Sequence, residues 1–317
     1  MNVKRLGILL IALAMVASAC GGSEAADEST TTTRSPSSTT TAPPPSSSTT
    51  TSTTTTTTTT TPSTTVPVSD QYVHAYFLID DVTGEAGPFI RPVSRRIEPT
   101  AGVAAAAVAA LIAGPTADER AGTPAVSGGL PDGTELLGLT ISDATARIDL
   151  SSEIEDVGGT FGEMAVLAQL VFTLTQFPTV GDVVLLIEGE AVEFYGSHGM
   201  EVTPSLTRDS FLGGGLVPEI LIDRPAWFAQ AGNPVVVSGI ARAFEATVQW
   251  ALYDNDGLLL DEGFTMASAG GPDWGTFQFA IPYTVDSPQL GAVIMWEQSA
   301  RDGSAIHLVE HPVWLSP

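Results

Sequence analysis

The chain has 317 residues, with 36 acidic side chains against 12 basic ones and a formal net charge of −24 at pH 7. Residues 1–69 hold three of each sign, so the imbalance falls wholly on the remainder, whose negative field argues against nucleic acid or anionic headgroups as direct ligands. Cys20 is the single cysteine, so no intrachain disulfide can form and any folded domain must hold together by core burial.

The chain begins as a signal segment over residues 1–20. Lys4 and Arg5 supply a positive start, and Leu6 to Val16 form an apolar run too short to span a bilayer as a mature helix. Ala17-Ser18-Ala19 then presents small residues directly before Cys20, the arrangement of a lipoprotein signal in which Cys20 becomes the lipidated first residue. Ala17 stands where such signals usually carry a large aliphatic residue, so ordinary cleavage after Ala-x-Ala is the competing reading. The expected location is the extracytoplasmic face of the membrane with a lipid anchor, or the medium if lipidation fails. Residues 21–69 are Thr, Ser and Pro with almost no apolar side chains, which predicts a disordered stalk. Its prolines favour extended conformations, with a reach of up to about 150 Å, and its composition suits O-glycosylation.

Residues 70–212 read as an α+β module, with helices on one face of a small sheet. Val73 to Ile79 and Phe89 to Ile97 are predicted strands joined through a turn at Thr83-Gly84-Glu85. Thr100 is placed to cap an Ala-rich helix over 102–113, which Gly114-Pro115 stops. Residues 135–141 and 145–150 form a hairpin turning at Asp143-Ala144. A second helix starts at Thr160, which has capping-box spacing to Glu163, and Met164, Leu167, Ala168, Val171 and Leu174 define its buried face. A strand at 183–187, a turn at Gly189 and a strand at 192–195 close the module.

Several stretches of this module resemble the GerMN domain of spore germination and sporulation proteins. They are Arg95-Arg96, the helix ending Leu111-Ile112-Ala113-Gly114-Pro115-Thr116, Leu130-Pro131-Asp132-Gly133-Thr134 and Ala146-Arg147-Ile148-Asp149-Leu150-Ser151. The closest are the run from Leu170 to Val180 and Thr207-Arg208-Asp209-Ser210-Phe211. The resemblance implies a small α/β module of the kind used in rings and envelope assemblies, with no catalytic residue and no cofactor.

After Gly213-Gly214-Gly215 the texture changes to seven short strands over 217–317, an all-β immunoglobulin-like sandwich without the inter-sheet disulfide. They are expected at 219–222, 234–240, 247–253, 258–265, 276–281, 291–298 and 306–313, with Trp250 and Trp296 as core aromatics. Asp254, Asp256 and Asp261 invite a calcium test, but Thr265 occupies the twelfth position where a loop of that kind needs Glu, so a hairpin turn is expected. The run from Gly239 to Ala246, the Asp256-Gly257 turn, Gly275-Thr276-Phe277 and the run from Ser299 to Gly303 resemble the immunoglobulin-like module that follows GerMN domains in bacterial envelope proteins.

The sequence carries no local motif of catalysis or metal binding. His74, His198, His307 and His311 lack a paired metal spacing, although His307 and His311, four apart on one strand, should share a face. Thr173 and Thr175 are expected to bond the preceding helical turn rather than act as nucleophiles. The expected function is a non-enzymatic envelope protein acting in protein–protein interaction or assembly, with neither cofactor nor metal. Its expected partners are envelope proteins or further copies of itself, the membrane is met through the anchor, and nucleic acid is excluded. An accessory lipoprotein that modulates a membrane receptor or sensor kinase is the alternative.

Overall fold

The computed structural model describes residues 70–80 and 87–317. The expected signal segment, Cys20, the stalk and the turn at Thr83-Gly84-Glu85 lie outside the described residues. The first module opens with β1 (Gln71–Ile79) and β2 (Phe89–Ile97), paired antiparallel over their whole length. On its other side β1 meets β3 (Val126–Ser127) only at Leu78 and Ile79. The earlier half of that edge would leave backbone groups unpaired, a cost of about 1–3 kcal/mol each when buried. Side chains of a helix and of the turn that follows it fill the gap: Thr173 Oγ1 accepts the Tyr76 N–H at 3.0 Å, and the Gln176 amide both accepts from the His74 N–H and donates to the His74 carbonyl.

That helix is α3 (Gly159–Leu174), and every residue from Ala165 to Leu174 is buried. The single apolar stripe read from sequence is therefore too narrow, and Met164 lies only half-buried. α3 crosses between β5 (Thr145–Leu150) and β6 (Asp182–Ile187), which pair in parallel, so it is the connecting helix of a βαβ unit. β4 (Leu136–Ser142) joins β5 through Asp143 and Ala144, both at positive φ as the tight two-residue hairpin requires. β7 (Glu190–Ala191) completes this four-stranded sheet, and β8 (Phe194–Tyr195) pairs with β9 (Met200–Glu201). The expected single small sheet is thus two principal sheets, of three and four strands.

α1 (Val103–Ala113) packs Ala107, Val108 and Leu111 into the core and ends at Gly114, φ 71°, as expected. Its N-cap is Gly102, whose N–H is taken by the Thr100 hydroxyl, so Thr100 orders the approach to the helix without capping it. α2 (Ala117–Arg120) has the capping box that the longer helix lacks, between Thr116 and Glu119. Glu119 also receives both Nη atoms of Arg95 at 2.7–2.8 Å, which pins α2 to β2.

The second module contains the seven expected strands within two residues at each end. β10 (Ile220–Arg224), β11 (Val235–Ala241) and β14 (Gly275–Ile281) form one sheet; β12 (Thr247–Tyr253), β13 (Leu259–Met266), β15 (Gln289–Gln298) and β16 (Ala305–Leu315) form the other, in the order β13-β12-β15-β16. Trp250 lies in the core, stacked on Phe279 at 5.3 Å. Trp296 does not: it pairs with Gln249 and lies half-buried on the opposite face, because its neighbours Met295 and Glu297 take the inward positions. A further buried tryptophan, Trp227, lies outside any strand and so carries no alternation signal.

Trp227 marks the seam between the modules. Its N–H donates to the Pro92 carbonyl and its own carbonyl accepts from Ser94, both in β2. Immediately after, Phe228 and Ala231 donate to Pro312 and Trp314 of β16, and Trp314 returns a bond to Ala229. Leu216, Val217, Leu221 and Trp227 belong to the first module's apolar core. The glycines at 213–215 therefore precede a fused seam, and the described residues fall into one compact unit.

Candidate functional site

Beside the seam lies an open recess of about 520 Å³ whose walls come from both modules. His74, Tyr76 and Arg208 line one side, and Asp223, Arg224 and Gln278 the other. Arg208 begins a short 3-10 turn fixed by reciprocal bonds between Thr207 and Ser210, and its guanidinium enters the recess fully engaged. Nε donates to Thr175 Oγ1 at 2.8 Å, Nη1 to Asp223 Oδ2 at 2.7 Å and Nη2 to Tyr76 Oη at 3.2 Å. The guanidinium also lies over the Phe172 ring at 4.6 Å. Tyr76 in turn donates its hydroxyl to Asp223.

The electrostatics follow from this packing. Burial, reinforced by Asp223, raises the Tyr76 hydroxyl far above the usual phenol range, so it stays protonated. Burial works against the Arg208 charge, but the hydrogen bond to Tyr76 and the charge and hydrogen bond of Asp223 outweigh it and hold the guanidinium pKa above its ordinary value. His74 is pushed down to about 4, chiefly by burial and then by Arg224. The group is therefore a charged lock between modules, with a neutral histidine at its side and no activated nucleophile. Thr175 bonds the Val171 carbonyl as expected, while Thr173 serves β1 instead of its own helix.

A second cluster surrounds Glu163. The predicted capping box with Thr160 is absent: α3 starts at Gly159 with Gly158 as N-cap, and the Glu163 side chain turns inward, fully buried. Its Oε1 accepts from the Ser197 N–H and hydroxyl at 2.7 and 2.9 Å, and from the His198 N–H and Nδ1 at 3.3 and 3.0 Å. The His198 bond is the largest cause that holds its pKa below the usual carboxylate range. Gly196 permits the close wrap, since a Cβ there would lie 2.3 Å from the Glu163 carboxyl carbon. Serine, histidine and carboxylate meet here, yet both partners address one carboxylate oxygen. A nucleophilic relay needs the imidazole between hydroxyl and carboxylate, so this arrangement clamps a loop.

Asp254 and Asp256 lie in the expected hairpin turn, whereas Asp261 lies within β13. Asp254 Oδ1 accepts the N–H groups of Asp256 and Leu258, and Asp261 Oδ1 accepts from Glu262. Among the described residues no group of three or more His, Cys, Asp and Glu side chains could hold a metal ion. His307 and His311 do not share the regular face expected of them. The register between β15 and β16 shifts between Met295 and Glu297, and His307 sits in the displaced stretch at φ 52°. His307 meets Glu297 at 2.9 Å, whereas His311 is wholly buried against the Pro225 carbonyl and edge-on to Trp227. Burial, and then Arg91, push His311 down to about 3.

Arg208, Asp223, Tyr76 and Glu163 were not legible as a site. Arg208 and Glu163 stand in recognisable local motifs, but their partners are long-range. The fold and its seam define a two-module protein, in which an α+β domain is fused to an immunoglobulin-like sandwich. More particularly, residues 74–193 match the family described as Germane, sporulation and spore germination, and residues 219–304 match Gmad2, the immunoglobulin-like domain of bacterial spore germination. The chain thus carries a GerMN domain followed by that immunoglobulin-like domain.

Among solved structures it is similar to the tandem GerMN domains of the sporulation protein GerM from Bacillus subtilis, at 16% identity and a TM-score of 0.39. That match covers 69% of this chain and 64% of the other, so the chain spans less than two thirds of the tandem structure. The first GerMN domain of the same protein matches at 20% identity and a TM-score of 0.36, over 43% of this chain and 98% of that one. A putative lipoprotein from Clostridium perfringens matches at 24% identity and a TM-score of 0.31, over 44% of this chain and 89% of that one. No curated protein matches the chain.

Proposed function

We propose that the protein is a non-enzymatic lipoprotein of the cell envelope, held by a lipid on Cys20 and acting through protein–protein contacts near the cell wall. The observation that carries this reading is the order of the two modules, GerMN then immunoglobulin-like, behind a cysteine that directly follows an apolar export segment. The chemistry of the described residues supports it: the buried polar clusters at Arg208 and Glu163 are occupied in holding the seam and a loop.

Three measurements test it. Cys20→Ala should move the full chain from the membrane fraction to the medium, and retention in the membrane would remove the anchor. Turnover of peptidoglycan fragments by the purified chain would overturn the non-enzymatic reading. Light scattering across a concentration series separates self-assembly, which grows with concentration, from contacts made only with other proteins.

A further inference from the structure

The outward face of the four-stranded sheet in the second module is apolar where an antiparallel sheet normally turns polar side chains to water. The pairing register shows which residues share it. Phe264 stands opposite Gln249 and then Trp296, and Glu262 stands opposite Ala251, then Ile294 and Glu310. Tyr253 and Trp314 continue the same face toward its far end. Phe264 is 65% exposed and Met266 62%. The β16 edge is covered by the 228–231 segment, whereas β13 has no neighbour on its outer edge among the described residues. An apolar surface of this kind beside an open strand edge marks a docking site.

Charge decides what would dock there. β12, β13, β15 and β16 contain no Lys or Arg, so among the described residues the formal charges these strands place on the face are the carboxylates of Glu262 and Glu310. Neither forms an ion pair among the described residues, and apolar surroundings raise the Glu310 pKa through burial. A second copy would bring the same two carboxylates and no cation, from a chain that itself carries a net charge of −24. We propose that this face binds a different protein, one presenting an apolar surface with Lys or Arg side chains placed to meet Glu262 and Glu310. The inference rests on reading the chain as an interaction protein, and it names the surface and the chemistry of the partner.

The test places the photoreactive residue p-benzoylphenylalanine at position 264 of the full chain in its native cells. A control position at Phe194, exposed on the first module, is labelled in parallel. The expected result is an adduct at 264 with one protein whose crosslinked peptide carries apolar residues beside Lys or Arg. Glu262→Arg should reduce that adduct at least tenfold while leaving the melting temperature of the exposed-face variant unchanged. An adduct with lipid, with a second copy of the chain or with a peptide lacking a cation overturns the proposal, as does an adduct that survives Glu262→Arg. Capture at 194 with none at 264 overturns this surface but spares the interaction reading. Capture at neither position counts against both.

Discussion

In the first module, several polar side chains on one helix are buried and answered far away in sequence: Glu163 by Ser197, Gln169 by Gly129, Thr173 by Tyr76. In the second, strands alternate inward and outward residues, and the side chains of Asp254 and Asp302 bond nearby turn backbone. Long-range polar contacts fix one geometry, because a buried donor or acceptor left unmet costs about 1–3 kcal/mol. Alternation fixes only a face and a register, and it leaves the outer surface free to carry function. The first module is therefore sensitive at single polar atoms, and the second at steric fit between strands.

The largest test of this contrast is acid. His74 and His311, one in each module and both near the seam, are neutral in the folded chain at about 4 and about 3, against 6.5 unfolded. The unfolded chain therefore binds more protons below pH 6.5. Their neutral forms are fully compatible with the fold above that value, and stability falls as pH drops toward 4. At pH 4.5 the loss should reach about 2.5 kcal/mol from each. Urea midpoints at pH 7.5 and 4.5 measure it, and equal midpoints would break the claim.

Next comes Arg208→Ala, which strands Asp223 and the Tyr76 hydroxyl at the seam and should cost about 3 kcal/mol. A single urea transition should become two as the modules uncouple. Arg208→Lys should recover less than half, since one ammonium cannot replace a fork that meets Thr175, Asp223 and Tyr76 together. Gly263→Ala probes the second module, where a Cβ would press to 2.6 Å from the Trp250 ring, and a loss of about 2 kcal/mol is expected by chemical denaturation. A neutral result would show that the sandwich yields more easily than its packing implies. The smallest effect is Asp254→Ala, about 1 kcal/mol for the lost turn bonds, with no change in melting temperature on adding calcium to either form.

Local signals carried much of this fold. The seven strands of the second module follow from alternation, the 143–144 hairpin from Asp143 between two strand-forming runs, and the helix stop from Gly114 at positive φ. Local patterns misled where a distant partner, strand parity or a register shift decided the outcome. Thr160 and Glu163 have capping-box spacing, but Ser197 and His198 draw Glu163 inward. Trp296 is large and apolar, but strand parity places Met295 inside. His307 and His311 have the spacing for one face until a register shift intervenes. The seam was invisible for the same reason, because Trp227 sits in no regular element and is held by the Pro92 carbonyl and the Ser94 N–H far earlier in the chain, while its neighbour Phe228 meets the Pro312 carbonyl far later.

Backbone bonds from residues 227–231 grip β2 with one end and β16 with the other. Any shift of this segment at β2 is therefore passed to β16, and the reverse, through backbone hydrogen bonds rather than through side chains.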